Sequence, residues 1–295
     1  MNLFDKIYAD VHKASFQYAR MEDHSNEEAR SRYIASIHSE IVYLFGSAIT
    51  NKPEGLLDSV FTRRGRIEHH FCTMSSVSIV FIEVQKSWAS GDAKLDVIGQ
   101  ILAESAACDY LNAKIQHWVP ILAILCDGEK FEFMVYDSGV KSIYSSGMIA
   151  GVSDMRNDTD LLAPSLKRIS EYIFDYFLMA YINGLRSFGH ISELAAARSK
   201  SKKRKSTGKW MNALARAEHA HWLFREAAEL ARKGKFEEAE ETARRGMDEL
   251  KERLSLYVFI RYLITDECHD SVSEVQDMGL GGIPEFYDRA AVMHA

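Results

Sequence analysis

Two apolar runs, WVPILAILC (118–126) and KFEFMVYD (130–137), flank Asp127-Gly128. Asp-Gly is a pair favoured between antiparallel strands, because glycine takes a positive φ at no steric cost. This stretch commits the chain to a β-hairpin, and the rest of the fold has to accommodate it. Upstream, residues from about 5 to 48 read as helix: Ile34, Ile37, Ile41 and Leu44 recur at three and four spacing, and no Pro or Gly intervenes before Gly46. Asn51, Pro53 and Gly55 make a break. Three short β-like runs follow, over Leu57–Thr62, Arg66–Cys72 and Val77–Gln85. Residues 95–114 return to helical period, with Leu95, Ile98, Leu102, Ala106 and Tyr110 on one face. After the hairpin, a further strand fits Lys141–Ala150. A polar loop with Asn157, Asp158 and Asp160 ends at Pro164, and an apolar helix fits 165–188. This order predicts an α/β (α+β) fold, a central mixed sheet flanked by helices.

The composition shifts after Gly189. ARSKSKKRKSTGK (197–209) is basic and reads as an exposed linker. From Trp210 to about Thr265 the chain is nearly all helical, with Gly234 at a helix–turn–helix corner that has the style of one tetratricopeptide unit. No second copy follows at that period, so it reads as a helical hairpin packed on the remainder. The tail from Asp277 is irregular. The expected division is therefore 1–190, a basic linker 191–209, and a helical extension 210–295.

With 295 residues, 47% of them hydrophobic, the chain can bury a sizeable core. A net charge of -6 gives no global sign of nucleic-acid binding, so such a partner would need a local basic patch. Cys72, Cys108, Cys126 and Cys268 have irregular spacing and no CxxC, which argues against a zinc site or a disulfide framework. The N-terminus MNLFDKIYADVHK lacks a secretory h-region, and no run of about 18 apolar residues exists. A soluble intracellular protein without a membrane partner is expected. No GxGxxG, GxxxxGK[ST] or GxSxG occurs.

Chemistry is concentrated in RRGRIEHHF (63–71) and SIVFIEVQKSW (78–88). Two consecutive strands each carry an acid, Glu68 and Glu83, and as sheet neighbours they would converge. Paired carboxylates with a nearby amine or amide are what a hard divalent cation and an attacking water require. Strand alternation places Glu83 and Gln85 on one face and turns Lys86 to the other unless the strand bulges. It places Glu68 with Arg66 and His70, and His69 opposite. One histidine ring packed in the sheet and one exposed is the ordinary expectation for His69-His70.

RGRIEHHF, IVFIEVQK, GQILAESAACDYLNA and VPILAILCDGEKFEF, taken in that order, resemble the PD-(D/E)XK nuclease superfamily, in particular the nuclease-like domains of many fungal proteins. The resemblance covers residues from about 30 to 185. It implies a restriction-endonuclease-like sheet, bound Mg²⁺ or Mn²⁺, and hydrolysis of phosphodiesters, with DNA ahead of RNA as the partner. Carried over, Glu68 is the second-strand acid and Glu83 opens the Glu-x-Lys motif. Gln85 stands where the lysine belongs, Gln100 is the helix glutamine, and Glu40 is an additional acid on the first helix. The pattern departs from the family twice: the second-strand acid is a glutamate, and the motif lysine is Gln85, with Lys86 one residue late.

Three classes stay open at this point. The first is a metal-dependent nuclease that uses Glu68, Glu83, Gln85 or Lys86, and Gln100. The second is a nuclease-like fold without catalysis that binds nucleic acid or protein. The third is an adaptor dominated by its helical hairpin. The basic run around Lys202, Lys203, Arg204 and Lys205 reads as a nuclear localisation signal, a phosphate contact, or a solvated loop. The C-terminal helices would shape a substrate groove or a homodimer contact.

Overall fold

The computed structural model describes residues 3–18, 27–52, 55–57, 65–74, 77–85, 92–150, 159–198 and 206–251. The chain divides into two compact units, Met1–Leu254 and Ser255–Ala295, and every described residue belongs to the first.

The predicted hairpin is present. Strand β6 (Ile121–Cys126) pairs antiparallel with β7 (Lys130–Asp137). Gly128 takes φ 94°, and Asp127 Oδ1 accepts the amides of Glu129 at 2.9 Å and Lys130 at 2.8 Å. This is the side-chain turn that makes Asp a turn former. The expected strand after it is β8 (Ser142–Ala150), which pairs with β7 at the edge of the sheet.

The segment before the hairpin supplies β1 (Ile49–Asn51), a small ribbon of β2 (Gly55–Leu57) and β3 (Gly65–Ile67), then β4 (His69–Thr73) and β5 (Val77–Val84). Residues 58–64, which take in all but the first residue of the strand predicted over Leu57–Thr62, lie outside the described set. The main sheet has the order β1-β4-β5-β6-β7-β8, antiparallel throughout except for the parallel pair β5–β6. Every residue of β5 and β6 is buried, as suits central strands covered on both faces. The connection between these two strands is helix α3 (Asp92–Lys114), which lies on one face.

The other face is covered by α2 (Glu27–Leu44) and α4 (Thr159–Arg198), with α1 (Leu3–Tyr18) against both. The single helix expected over 5–48 is thus two packed helices. The sequence MEDHSNEE carries a capping-box pattern, Ser25 to Glu28, just ahead of α2. The start expected near 165 moves back to Thr159, so Pro164 sits inside α4 just past its first turn, where its missing N–H costs one hydrogen bond. Phe177 of α4 meets Phe71 edge-on at 4.8 Å between centroids, and Phe45 at 6.3 Å. Helix α5 (Ser206–Arg232) packs on α4. It turns at Gly234, φ 75°, into a last described helix, α6 (236–251), as the helix–turn–helix reading required. Cys72, Cys108 and Cys126 are free and buried, and Cys268 lies outside the described residues.

Helix α3 has a buried polar anchor on the sheet in Asn112. Asn112 is fully buried; its Nδ2 donates to Ser78 O at 2.7 Å and its Oδ1 accepts from Ser78 N at 2.8 Å. Truncation strands a buried donor and acceptor, so Asn112→Ala is expected to cost about 2–4 kcal/mol. A lowered urea midpoint at unchanged m-value checks this; a midpoint equal to wild type would show that this pair of hydrogen bonds does not hold α3.

Candidate active site

The parallel pair β5–β6 brings two strand carboxyl ends together, the place where α/β sheets present ligand sites. Glu83 is the penultimate residue of β5 and only 5% exposed. It pairs with Leu125, which belongs to the core packed against α3, so its carboxylate is on the α3 side. Gln100 and Glu104 stand one helical turn apart on α3 and meet it there. Gln100 Nε2 donates to Glu83 Oε1 at 2.7 Å and to Glu104 Oε1 at 3.0 Å, which uses both N–H bonds of its amide. Gln85 Nε2 donates to the same Glu83 Oε1 at 2.9 Å. Gln85 N continues the strand pairing to Cys126 O at 2.9 Å, and this fixes its side chain on the Glu83 face, as strand alternation predicts.

The electrostatics follow from burial. The Glu83 carboxyl is pushed up to about 9, first by burial, then by the carboxylates of Glu104 and Glu68; the amides of Gln85 and Gln100 pull it back. Burial raises Glu104 to about 7 against the Gln100 hydrogen bond. Glu83 Oε2 and Glu104 Oε2 are both buried without a hydrogen-bond partner. Two such oxygens on neighbouring carboxylates are costly when ionised. They call for a proton or for a cation. Among the described residues, no three His, Cys, Asp or Glu side chains are gathered to hold a metal ion. Glu83 and Glu104 nevertheless fit Mg²⁺ or Mn²⁺ in their chemistry, because Mg²⁺ commonly takes only one or two protein carboxylates beside substrate phosphate and water.

The other predicted residues are placed as follows. Glu68 occupies a bend between β3 and β4. Where the β4–β5 ladder runs out, its Oε2 accepts the Val84 amide at 3.1 Å. It is close enough to raise Glu83, but the carboxylate that shares a bridging amide with Glu83 is Glu104. Lys86 and the run Lys202, Lys203, Arg204, Lys205 lie outside the described residues. Glu40 of α2, on the opposite side of the sheet, pairs with Lys6 of α1 at 3.7 Å. His69 and His70 point to opposite faces, but both are buried. His69 Nε2 bonds Ser31 Oγ at 2.7 Å on the α2 side. His70 Nε2 bonds Ser78 Oγ at 2.9 Å, and burial, with the Lys52 charge adding, lowers its imidazole to about 4. The expected exposed ring is absent because β4 is covered on both faces.

Sequence reasoning passed over Glu104. Its one signal is the four-residue spacing from Gln100, which puts it beneath the same helix face.

No family model matches the sequence, and no curated protein matches it. Among solved structures, the chain is similar to one described as "cryoEM structure DrdV-DNA complex", with 13% identity and a TM-score of 0.34 over 88% of this chain. The chain spans only 26% of that protein's chain. A likeness this distant identifies neither a family nor an activity.

Proposed function

We propose that the protein is a metal-dependent nuclease of the PD-(D/E)XK type that hydrolyses nucleic-acid phosphodiester bonds, with DNA ahead of RNA. One observation carries the reading: two buried carboxylates at the end of a central strand, Glu83 and Glu104, each with an unpartnered oxygen and joined through one glutamine amide. These two would hold Mg²⁺ or Mn²⁺, and Glu68, near enough to act on Glu83 by charge, would add to the field without being gathered with them. When bound, the cation supplies a Lewis acid for the phosphate and lowers the pKa of a water.

The chain's own residues prepare that chemistry. Gln85 and Gln100 both donate to Glu83 Oε1, which fixes the carboxylate plane and leaves Oε2 as the open oxygen. Glu83 holds a proton at neutral pH in the metal-free chain, and Glu104, raised to about 7, shares in that uptake, so loading releases protons. Gln85 offers hydrogen bonds but no charge, and can orient a water without changing its protonation. The basic run that contains Lys202, Lys203, Arg204 and Lys205 would add contacts to the phosphate backbone. No helix among the described residues is long and apolar enough to cross a membrane.

One observation favours a second reading, a nuclease-like module that binds nucleic acid or protein without cutting it. The side chain at the motif-lysine position is an amide already engaged with Glu83. Labelled DNA and RNA incubated with Mn²⁺ or with EDTA separate the two. Cleavage with Mn²⁺ that EDTA stops, and that Glu83→Ala removes, is the expected result. Cleavage that survives Glu83→Ala would sink this site, and binding without cleavage under every metal would establish the second reading.

A further inference from the structure

A row of side chains runs from Glu83 across the sheet. Glu83 pairs with Leu125, and Leu125 pairs with Glu132 of β7. Directly paired residues project to the same face, so Glu132 faces the α3 side, two strands from Glu83. At about 4.8 Å per strand, the two glutamate backbones are roughly 10 Å apart.

Glu132 is 4% exposed. Ser145 Oγ donates to its Oε1, and its Oε2 has no hydrogen-bond partner. Lys94 Nζ stands 3.7 Å from that Oε2, near enough for ionic attraction but too far for a hydrogen bond. The lysine side chain is 39% exposed. The ammonium group therefore stands at the surface, over a carboxylate that is buried.

Helix α3 sets the span between this cation and the carboxylate pair. Lys94 precedes Gln100 by six residues, about 9 Å of helix rise. Gln100 and Glu104 lie over β5, and Lys94 lies over β7. The helix that closes the acidic site at one end thus presents an ammonium group at the other. A buried carboxylate paired with a half-exposed lysine is a poor device for stability, since an apolar pair of the same volume would serve as well or better. It is a good device for keeping a positive charge in one place.

Two carboxylates use up the charge of one divalent cation, so a polyanion gains attraction from a further positive charge along its path. The separation, on the order of 10 Å, is well short of one duplex turn of ~34 Å. The same nucleic-acid segment would meet both groups, at different phosphates. On this basis we infer that Lys94 is a substrate-binding residue that holds a backbone phosphate neighbouring the one presented to Glu83 and Glu104. The inference rests on the nuclease reading and sharpens it. The substrate is a polynucleotide with phosphates flanking the cut, not a mononucleotide or an isolated diester.

The test compares an oligonucleotide with bis(p-nitrophenyl) phosphate, which has a single phosphate, under saturating Mn²⁺. Lys94→Met keeps the alkyl stem and removes the charge; Lys94→Arg keeps the charge. For Lys94→Met, the kcat/KM preference for oligonucleotide over the small diester should fall about tenfold, mainly through KM. The slope of log affinity against log salt should drop by about one. Lys94→Arg should restore most of the preference. An unchanged preference, or equal losses on both substrates, would overturn the phosphate role and leave the nuclease reading standing. If the wild-type protein neither binds nor cuts the oligonucleotide, the nuclease reading fails and this inference fails with it. That outcome is visible before any substitution is made.

Discussion

Glu83→Gln is expected to abolish Mn²⁺-dependent cleavage, by on the order of a thousandfold or more, while it stabilises the metal-free protein above pH 7. Both effects have the same origin. Burial beside Glu104 and Glu68 raises the folded-state Glu83 carboxyl to about 9, against an ordinary value of 4.5. Between those values the native protein keeps a proton that the unfolded chain has lost. Stability therefore falls as pH rises through this range, by about 1.4 kcal/mol per pH unit for one such group.

The buried histidines His38, His69, His70 and His117 are shifted the other way, below their ordinary 6.5, and act only beneath it. The buried thiols, with raised values, begin to contribute near their ordinary 9. The window from pH 7 to about 8.5 thus belongs mainly to Glu83, with Glu104 adding at its lower end. Urea midpoints in EDTA should show wild type losing about 2 kcal/mol across this window. Glu83→Gln should be nearly flat, since an amide supplies donors where two oxygens lacked them. Saturating Mn²⁺ should flatten the wild-type curve as well, because a bound cation replaces the proton. A wild-type curve that is already flat, or a slope that persists in Glu83→Gln, would show that these carboxyls are not a strained pair.

Gly184→Ala is expected to destabilise by about 3 kcal/mol, against the sign that helix propensity alone would give. Within an exposed helix interior, this change gains up to about 1 kcal/mol. At Gly184, however, an added Cβ would lie 2.5 Å from Cγ2 of Thr73, with Thr73 Cβ and Oγ1 at 3.3 Å. Thr73 is fully buried at the end of β4, where its Oγ1 donates to Ala48 O at 3.0 Å. It has no room to retreat, so α4 must lift from the sheet or the side chain must break its bond. Thermal unfolding of Gly184→Ala alone and together with Thr73→Ser checks the cause. Serine keeps the hydroxyl and removes the clashing methyl, so the double variant should be more stable than Gly184→Ala by itself. Gly184→Ala at or above wild-type stability would mean that the contact is not tight.

Much of the sheet was legible because its signals are local. Asp127-Gly128 between apolar runs specifies a hairpin, and the continuous apolar run into Glu83 specifies a strand buried on both faces. Parity along that strand placed Gln85 beside Glu83. Helix α3 was harder. The face predicted from apolar spacing held Leu95, which is 67% exposed. The face actually buried carries Ile101, Glu104, Ser105, Cys108 and Asn112. Polar side chains that serve the site and the Ser78 anchor dilute the apolar period there, so hydrophobicity alone misjudges the helix phase. Glu104 was hidden for the same reason: a carboxylate on a helix reads as solvent-facing until the strand beneath it is known. Likewise the sequence between α1 and α2 holds neither Pro nor Gly, and a search for breakers passes over the boundary.

The proposed site has one further property in its connectivity. Lys94, Gln100 and Glu104 come from the single helix that follows β5, so the passage from Glu83 to Glu104 is one short continuous piece of sequence, and only Glu68 comes from before it. The other helices bear on the chemistry only by keeping that passage folded. Such a site is inherited as a cassette. It can be gained, retuned or lost within about two dozen codons while the surrounding scaffold drifts, and the amide at position 85 lies inside that stretch.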